Sequence, residues 1–235
     1  MILASWEPTT LIDFPGRVAA TLFTVGCSFR CPFCHNPELV LPERAAFASR
    51  LDVDRVFAEL DRRRGFLDGI VLTGGEPTSQ DDLAPFIERL KGLDLSVKVD
   101  TNGSRPEVIE ALLASGLVDY VAIDIKAPPA RYAEFSGVDG SVASVERTVR
   151  TVKSGDADYE LRTTVAPGLS EADVTAIADW IGPASRYVLQ RFRVPRGAGT
   201  GLLDPSWAER DALGDAALQR AWSSISDRFE AGGVR

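Results

Sequence analysis

All three cysteines of the 235-residue chain, Cys27, Cys31 and Cys34, and its only histidine, His35, fall in one short stretch, G-C-S-F-R-C-P-F-C-H-N-P at residues 26–37. Thiols that merely fill a core have no reason to cluster. Three of them within eight residues, with none elsewhere, describe a metal site. An odd, clustered set also reads as ligands in a reducing compartment, which makes the cytoplasm the expected location.

Composition narrows the rest. Apolar residues make up 45% and charged residues 26%, which is globular usage. At this length one large domain suffices, and we expect a single domain over 1–235, with a core at about 16–193 and a helical tail at about 204–230. A formal net charge of −8 argues against wrapping duplex nucleic acid, which needs a basic face. No basic region followed by an apolar run opens the chain, so no signal peptide is expected. No apolar stretch reaches the roughly 18–20 residues of a membrane span.

Along the chain, short β-like runs alternate with helical periodicity, without internal repeats. The run 18–25 predicts a first strand that ends at Gly26, so the cysteines occupy the loop after it, continuing through Pro37 and Pro42 to about Ser49. Further strands are predicted at 69–73, 95–100, 120–125, 159–165 and 187–192. Helices are predicted at about 52–64, 80–91, 108–116, 142–152 and 171–181 from apolar residues at 3.6-residue spacing. Asp204-Pro205 reads as a cap and first helical position. Leu218, Ala221, Trp222, Ile225 and Phe229 read as one closing amphipathic helix. Six β-then-α units imply parallel strands and an α/β fold, a partial open (β/α)6 barrel with its polar motifs beyond the carboxyl ends of the strands.

The spacing C-x3-C-x2-C allows three thiolates to hold three irons of a [4Fe-4S] cluster and to leave the fourth iron open. The alternatives are a structural zinc site that uses His35 as fourth ligand, and plain buried thiols. Gly74-Gly75-Glu76-Pro77 follows an apolar strand; its glycines permit close backbone approach and Glu76 can accept from an ammonium, though the run also reads as a simple turn. Asp100-Thr101-Asn102-Gly103 reads as a tight turn or as oxygen ligands. Asp124 and Lys126 interrupt an apolar strand end, where idle charges are costly. Arg162 can grip a carboxylate with paired hydrogen bonds; Arg191 and Arg193 are either further contacts or a solvated rim.

Taken together, these motifs resemble radical S-adenosylmethionine (SAM) enzymes, and the C-x3-C-x2-C-H-N form resembles glycyl radical enzyme activases. The resemblance runs from Leu11 to about Arg193. The runs D-F-P-G, C-P-F-C-H-N-P-E-L, D-T-N-G-S, D-I-K-A-P, R-T-T-V and L-Q-R-F are most similar to the anaerobic ribonucleoside-triphosphate reductase activating branch. It implies one [4Fe-4S] cluster on Cys27, Cys31 and Cys34, with His35 off the metal. It also implies SAM contacts from Phe33, Gly74, Gly75, Glu76, Thr101, Asn102, Asp124, Lys126 and Arg162. A small monovalent cation beside the SAM carboxylate is implied at Asp100, Thr101 and Asp124. The cysteine count leaves none for an inserted ferredoxin-like region.

The function implied is reductive cleavage of SAM to methionine and a 5′-deoxyadenosyl radical, which takes a hydrogen from a glycine of a partner enzyme. No side chain acts as acid or base. The implied partners are that glycyl radical enzyme and a one-electron donor such as flavodoxin or ferredoxin, with no nucleic acid and no membrane. The competing readings are a radical SAM enzyme acting on a small molecule, as deazaguanine-forming synthases do, and a zinc-stabilised binding domain.

Overall fold

The structure, a computed structural model, describes residues 1–41, 50–194 and 201–235. The stretch 42–49 of the loop after the cysteines, and Gly197, lie outside the described residues. The strands form one sheet: β1 (Leu3–Thr10), β2 (Ala19–Thr24), β3 (Gly69–Gly74), β4 (Ser96–Thr101), β5 (Tyr120–Asp124), β6 (Asp158–Val165), β7 (Ala184–Arg191) and β8 (Phe229–Val234), hydrogen-bonded in that order. Only the β1–β2 pair is antiparallel. The sheet stays open, with β1 and β8 as its edges, which makes a partial barrel.

Parallel neighbours need crossover connections. These come from α1 (Pro37–Val40), α2 (Val53–Arg62), α3 (Leu83–Lys91), α4 (Pro106–Ala114), α5 (Tyr132–Ser136), α6 (Val142–Ser154), α7 (Glu171–Ile181) and α8 (Asp215–Ser223). The local chemistry agrees with the bounds. Asp52 caps α2 by accepting from the Asp54 and Arg55 N–H groups, and Ser170 with Asp173 forms a capping box on α7. Gly116, just past α4, takes the left-handed φ of +64° that ends helices. Each helix buries one stripe; α3, for example, buries Leu83, Phe86, Ile87 and Leu90. Strands β2 and β3 are buried almost continuously, as covered parallel strands must be.

The D-F-P-G run seals the barrel near the amino ends of its strands. Phe14 is buried with Ala19, Val71 and Tyr120, its ring 5.9 Å from that of Tyr120. Lys98 Nζ donates to the Asp13 carbonyl at 2.5 Å, and Asp13 Oδ2 accepts from Thr21 Oγ1 at 3.0 Å.

Two edge strands correct the sequence reading of six. Strand β1 alternates buried and exposed residues only weakly, and its pairing with β2 is irregular at both ends. Strand β8 reads F-E-A-G-G-V, whose glycines are poor strand formers; it exists because β7 supplies a parallel partner. The expected closing helix is therefore divided: α8 ends at Ser223, and Phe229 opens β8. The spacing misled because Trp222 and Phe229 pack on the same residue, Tyr187, from two different elements.

The tail also returns to the cysteine loop. Leu203 N–H donates to the Cys34 carbonyl (3.2 Å) and Asp204 N–H to the Pro32 carbonyl (2.9 Å). Asp204 caps a 3-10 turn, Pro205–Glu209, which buries Trp207 against Phe33 and Phe135, at ring distances of 5.8 and 5.1 Å. Trp207→Ala is expected to cost about 3–5 kcal/mol, as for other buried aromatic truncations. Urea unfolding checks this, and a loss below about 1 kcal/mol would mean that Trp207 carries no ordinary core packing.

Candidate metal and cofactor site

The cysteine loop leaves β2 and is clamped on three sides before any ligand is considered. Gly26, at φ +95°, donates its N–H to the Leu39 carbonyl (2.7 Å) and accepts from the Glu76 N–H (2.7 Å). Arg30 N–H donates to the Ser136 carbonyl at 2.8 Å, while its guanidinium donates to the Cys27 and Phe29 carbonyls at 2.6 and 2.8 Å. Phe29 and Phe33 turn into the core, Phe29 against Tyr132. Cys34 N–H closes a turn onto the Cys31 carbonyl at 2.9 Å.

Between this loop and the strand ends lies a cavity of about 220 Å³. Cys27, Cys31, Cys34 and Phe33 line one side; Gly74, Gly75, Glu76, Asp100, Thr101, Asn102, Asp124 and Lys126 line the other. Every residue expected from sequence to touch metal or cofactor is thus on one cavity, except Arg162. That side chain lies just beneath, donating from Nε to Asp124 Oδ1 (2.8 Å) and from Nη1 to Asp100 Oδ2 (3.1 Å). This guanidinium bridges one oxygen of Asp100 and one of Asp124, two of the residues expected from sequence to hold a small cation.

The two glycines serve the fold as much as any ligand. A Cβ on Gly75 would lie 2.0 Å from the Gly26 carbonyl oxygen, and one on Gly74, at φ +107°, 2.5 Å from the Thr24 nitrogen. Only glycine lets the two loops meet backbone to backbone. Glu76 is buried; Oε1 accepts from Thr78 N–H (3.1 Å), Thr78 Oγ1 (2.6 Å) and Thr101 Oγ1 (2.8 Å), and Oε2 from Asn102 N–H (2.7 Å). Burial pushes its pKa up against the pull of those donors.

Charges that sequence reading missed extend the network inside the barrel. Lys98 is buried 3.1 Å from Asp100 and 3.5 Å from Glu160, and Arg235 Nη2 reaches Glu160 at 3.3 Å. The signal was present: Lys98 and Asp100, like Glu160 and Arg162, are spaced two apart and so share a strand face. For Asp124, burial opposes ionisation, but Arg162 and Lys126 outweigh it and hold the carboxyl well below its usual range. Burial likewise opposes the Lys126 charge, and Asp124 at 3.3 Å outweighs it, so a firm cation lines the cavity.

His35 also lines the cavity, next to Cys34 in the chain. Its ring stands 5.3 Å from that of Phe192 and hydrogen-bonds the Arg193 backbone. Arg191 pairs with Asp215 at 2.6 Å, off the cavity, which fits the rim reading. Among the described residues, no three His, Cys, Asp or Glu side chains are arranged to hold one metal ion; the three thiols open side by side onto the shared cavity.

A family model for the radical SAM superfamily matches residues 21–181. The chain belongs to the radical SAM superfamily. A Methanocaldococcus jannaschii protein named as a glycyl-radical enzyme activating enzyme is 35% identical over 187 residues, 77% of this chain and 75% of that protein. A 7-carboxy-7-deazaguanine synthase of Methanopyrus kandleri is 32% identical over 49% of this chain and 52% of its own. Among solved structures, Streptococcus suis SuiB superposes with a TM-score of 0.63 at 14% identity, covering 92% of this chain and 50% of that one. That likeness speaks for the fold alone. The chain spans about half the length of the latter two. Membership of the radical SAM superfamily makes the protein an enzyme and implies a [4Fe-4S] cluster and SAM, and three thiols on one cavity suit that pair. No helix among the described residues is long and apolar enough to cross a membrane.

In the metal-free protein, burial pushes Cys27 up to about 11, with Glu76 adding to the effect, and Cys31 up to about 12. Both are then protonated at neutral pH, and only thiolates alkylate. Iodoacetamide labelling of Cys27 and Cys31 in the folded metal-free protein, read peptide by peptide in a mass spectrometer, is expected to be slower at pH 8 than in urea, and to keep rising to pH 10. A rate that levels off below pH 9 would contradict the burial argument.

Proposed function

We propose that this radical SAM enzyme is an activase that generates a glycyl radical on a partner enzyme, and that it acts as a single domain over 1–235. The observation that carries the site assignment is the shared cavity: three thiols of one loop line it together with Gly75, Asn102 and Lys126, and His35, which also lines it, packs its ring against Phe192. Cys27, Cys31 and Cys34 would then hold three irons, and the fourth would lack a protein ligand. When bound, the cluster supplies one electron to the sulfonium of SAM, giving methionine and a 5′-deoxyadenosyl radical.

The chain's own residues bind and orient. Lys126, held charged by Asp124, would meet the carboxylate of SAM, and Arg162 fixes Asp124. The Gly74–Gly75 backbone and Glu76 Oε2, which carries a single hydrogen bond from the protein, would receive the amino group of SAM. Thr101 is committed to Glu76 and shapes the same wall. Phe33, which lines the cavity and packs on Trp207, would offer its ring to the adenine. A monovalent cation here would share Asp100 and Asp124 with Arg162, which uses one oxygen of each, and Asp100 Oδ1 has no hydrogen-bond partner among the described residues.

The relative matched over three quarters of both chains is named for glycyl radical enzyme activation, which supports a protein substrate. The deazaguanine synthase match covers half of each chain and favours the small-molecule reading less. The motif runs from D-F-P-G to L-Q-R-F support an anaerobic ribonucleotide reductase as target, with a flavodoxin or ferredoxin as electron source.

Anaerobic reconstitution with iron and sulfide is expected to give a reducible cluster that converts SAM to 5′-deoxyadenosine. Cys31→Ala is expected to abolish the product while the circular dichroism stays unchanged. Incubation with a glycyl radical enzyme should then produce an organic radical signal on that partner. A protein that loads zinc but no cluster would end the radical reading, and cleavage without any signal on a partner would end the activase one.

A further inference from the structure

One side chain on the wall opposite the cysteine loop has a task beyond contact with a cofactor. Asn102, 6% exposed, is fixed at three points. Its N–H donates to Glu76 Oε2 at 2.7 Å, its Oδ1 accepts from the Ser104 N–H at 2.9 Å, and its Nδ2 lies 3.1 Å from Ser28 Oγ and 3.6 Å from Cys27 Sγ. The second bond decides which way round the amide sits. A backbone N–H can only donate, so the atom it meets is the carbonyl oxygen, and the end aimed at Cys27 is the NH2. Cys27 Sγ also accepts from the Phe29 N–H at 3.4 Å. Among the described residues, the side-chain hydrogen bonds to sulfur include this one at Cys27 and none at Cys31 or Cys34.

We propose that Asn102 is a positioning residue that donates an N–H···S hydrogen bond to Cys27 and raises the reduction potential of the cluster this sulfur binds. The inference rests on the reading of Cys27 as an iron ligand. Reduction places added negative charge partly on the ligating sulfurs, and a donor aimed at one of them stabilises the reduced state more than the oxidised one. The donor holds its aim because Glu76, itself buried and four times hydrogen-bonded, cannot swing away with it. The G-G-E turn would thus act on the metal through Asn102 as well as on SAM directly.

The test is an anaerobic, EPR-monitored redox titration of reconstituted protein without SAM. Asn102→Asp keeps the volume and the acceptor for Ser104 but turns an oxygen to the sulfur; Asn102→Leu removes donor and acceptor together. Both are expected to have a more negative midpoint potential than the wild type, Asn102→Asp the more so. Ser28→Ala, which frees the amide from its other partner, is expected to leave the potential equal or higher. Wild-type potentials in both Asn102 variants, at wild-type iron content, would overturn the proposal. If neither variant loads iron, Asn36→Gln protein carrying 15N in its one remaining asparagine side chain, that of Asn102, decides: pulsed EPR should show a coupled side-chain nitrogen, and its absence would overturn the proposal. A wild type that forms no cluster at all would instead remove the reading of Cys27 on which the proposal stands.

Discussion

The carboxylate of Glu76 is the point on which the site depends. A buried carboxylate is costly unless its oxygens are satisfied. Here two threonines and the Asn102 backbone satisfy it, and in doing so they join the end of β3 to the end of β4. The same residue's N–H meets the Gly26 carbonyl, which joins both ends to the cysteine loop. Three separate stretches of sequence are locked together before any metal arrives, so the thiols are set against their opposing wall by the protein itself.

A second layer lies deeper in the barrel. Lys98, Arg162, Asp100, Asp124 and Glu160 point to the inside of a sheet that is apolar elsewhere. Pairing offsets their desolvation without making them a source of net stability. What they supply is placement: Asp124 is fixed by Arg162 on one oxygen and meets Lys126 with the other, and of Lys98, Arg162 and Lys126 only Lys126 lines the cavity. The tail completes the arrangement from outside by packing Trp207 behind Phe33.

Much of this was legible in the sequence because the motifs lie where strand periodicity breaks. Cys27, Gly74, Asp100 and Asp124 each sit at or just after a strand's carboxyl end, and a run of β–α units brings such ends together. What was not legible depends on partners far along the chain. Strand β8 has two glycines and becomes a strand only through β7. The bridge that Arg162 makes between Asp100 and Asp124 depends on side-chain reach across two strands, which spacing does not encode. Asn102 read as a turn residue or a SAM contact, and its approach to Cys27 follows from the fold of two loops about 75 residues apart.

The central claim is that the three thiols hold a cluster whose open iron faces the SAM cavity. The most direct measurement is the EPR spectrum of the reduced, reconstituted protein before and after SAM is added. The account predicts one reduced [4Fe-4S] signal whose g-values shift on adding SAM and do not shift with methionine-free adenosine. A spectrum that SAM leaves unchanged would contradict it.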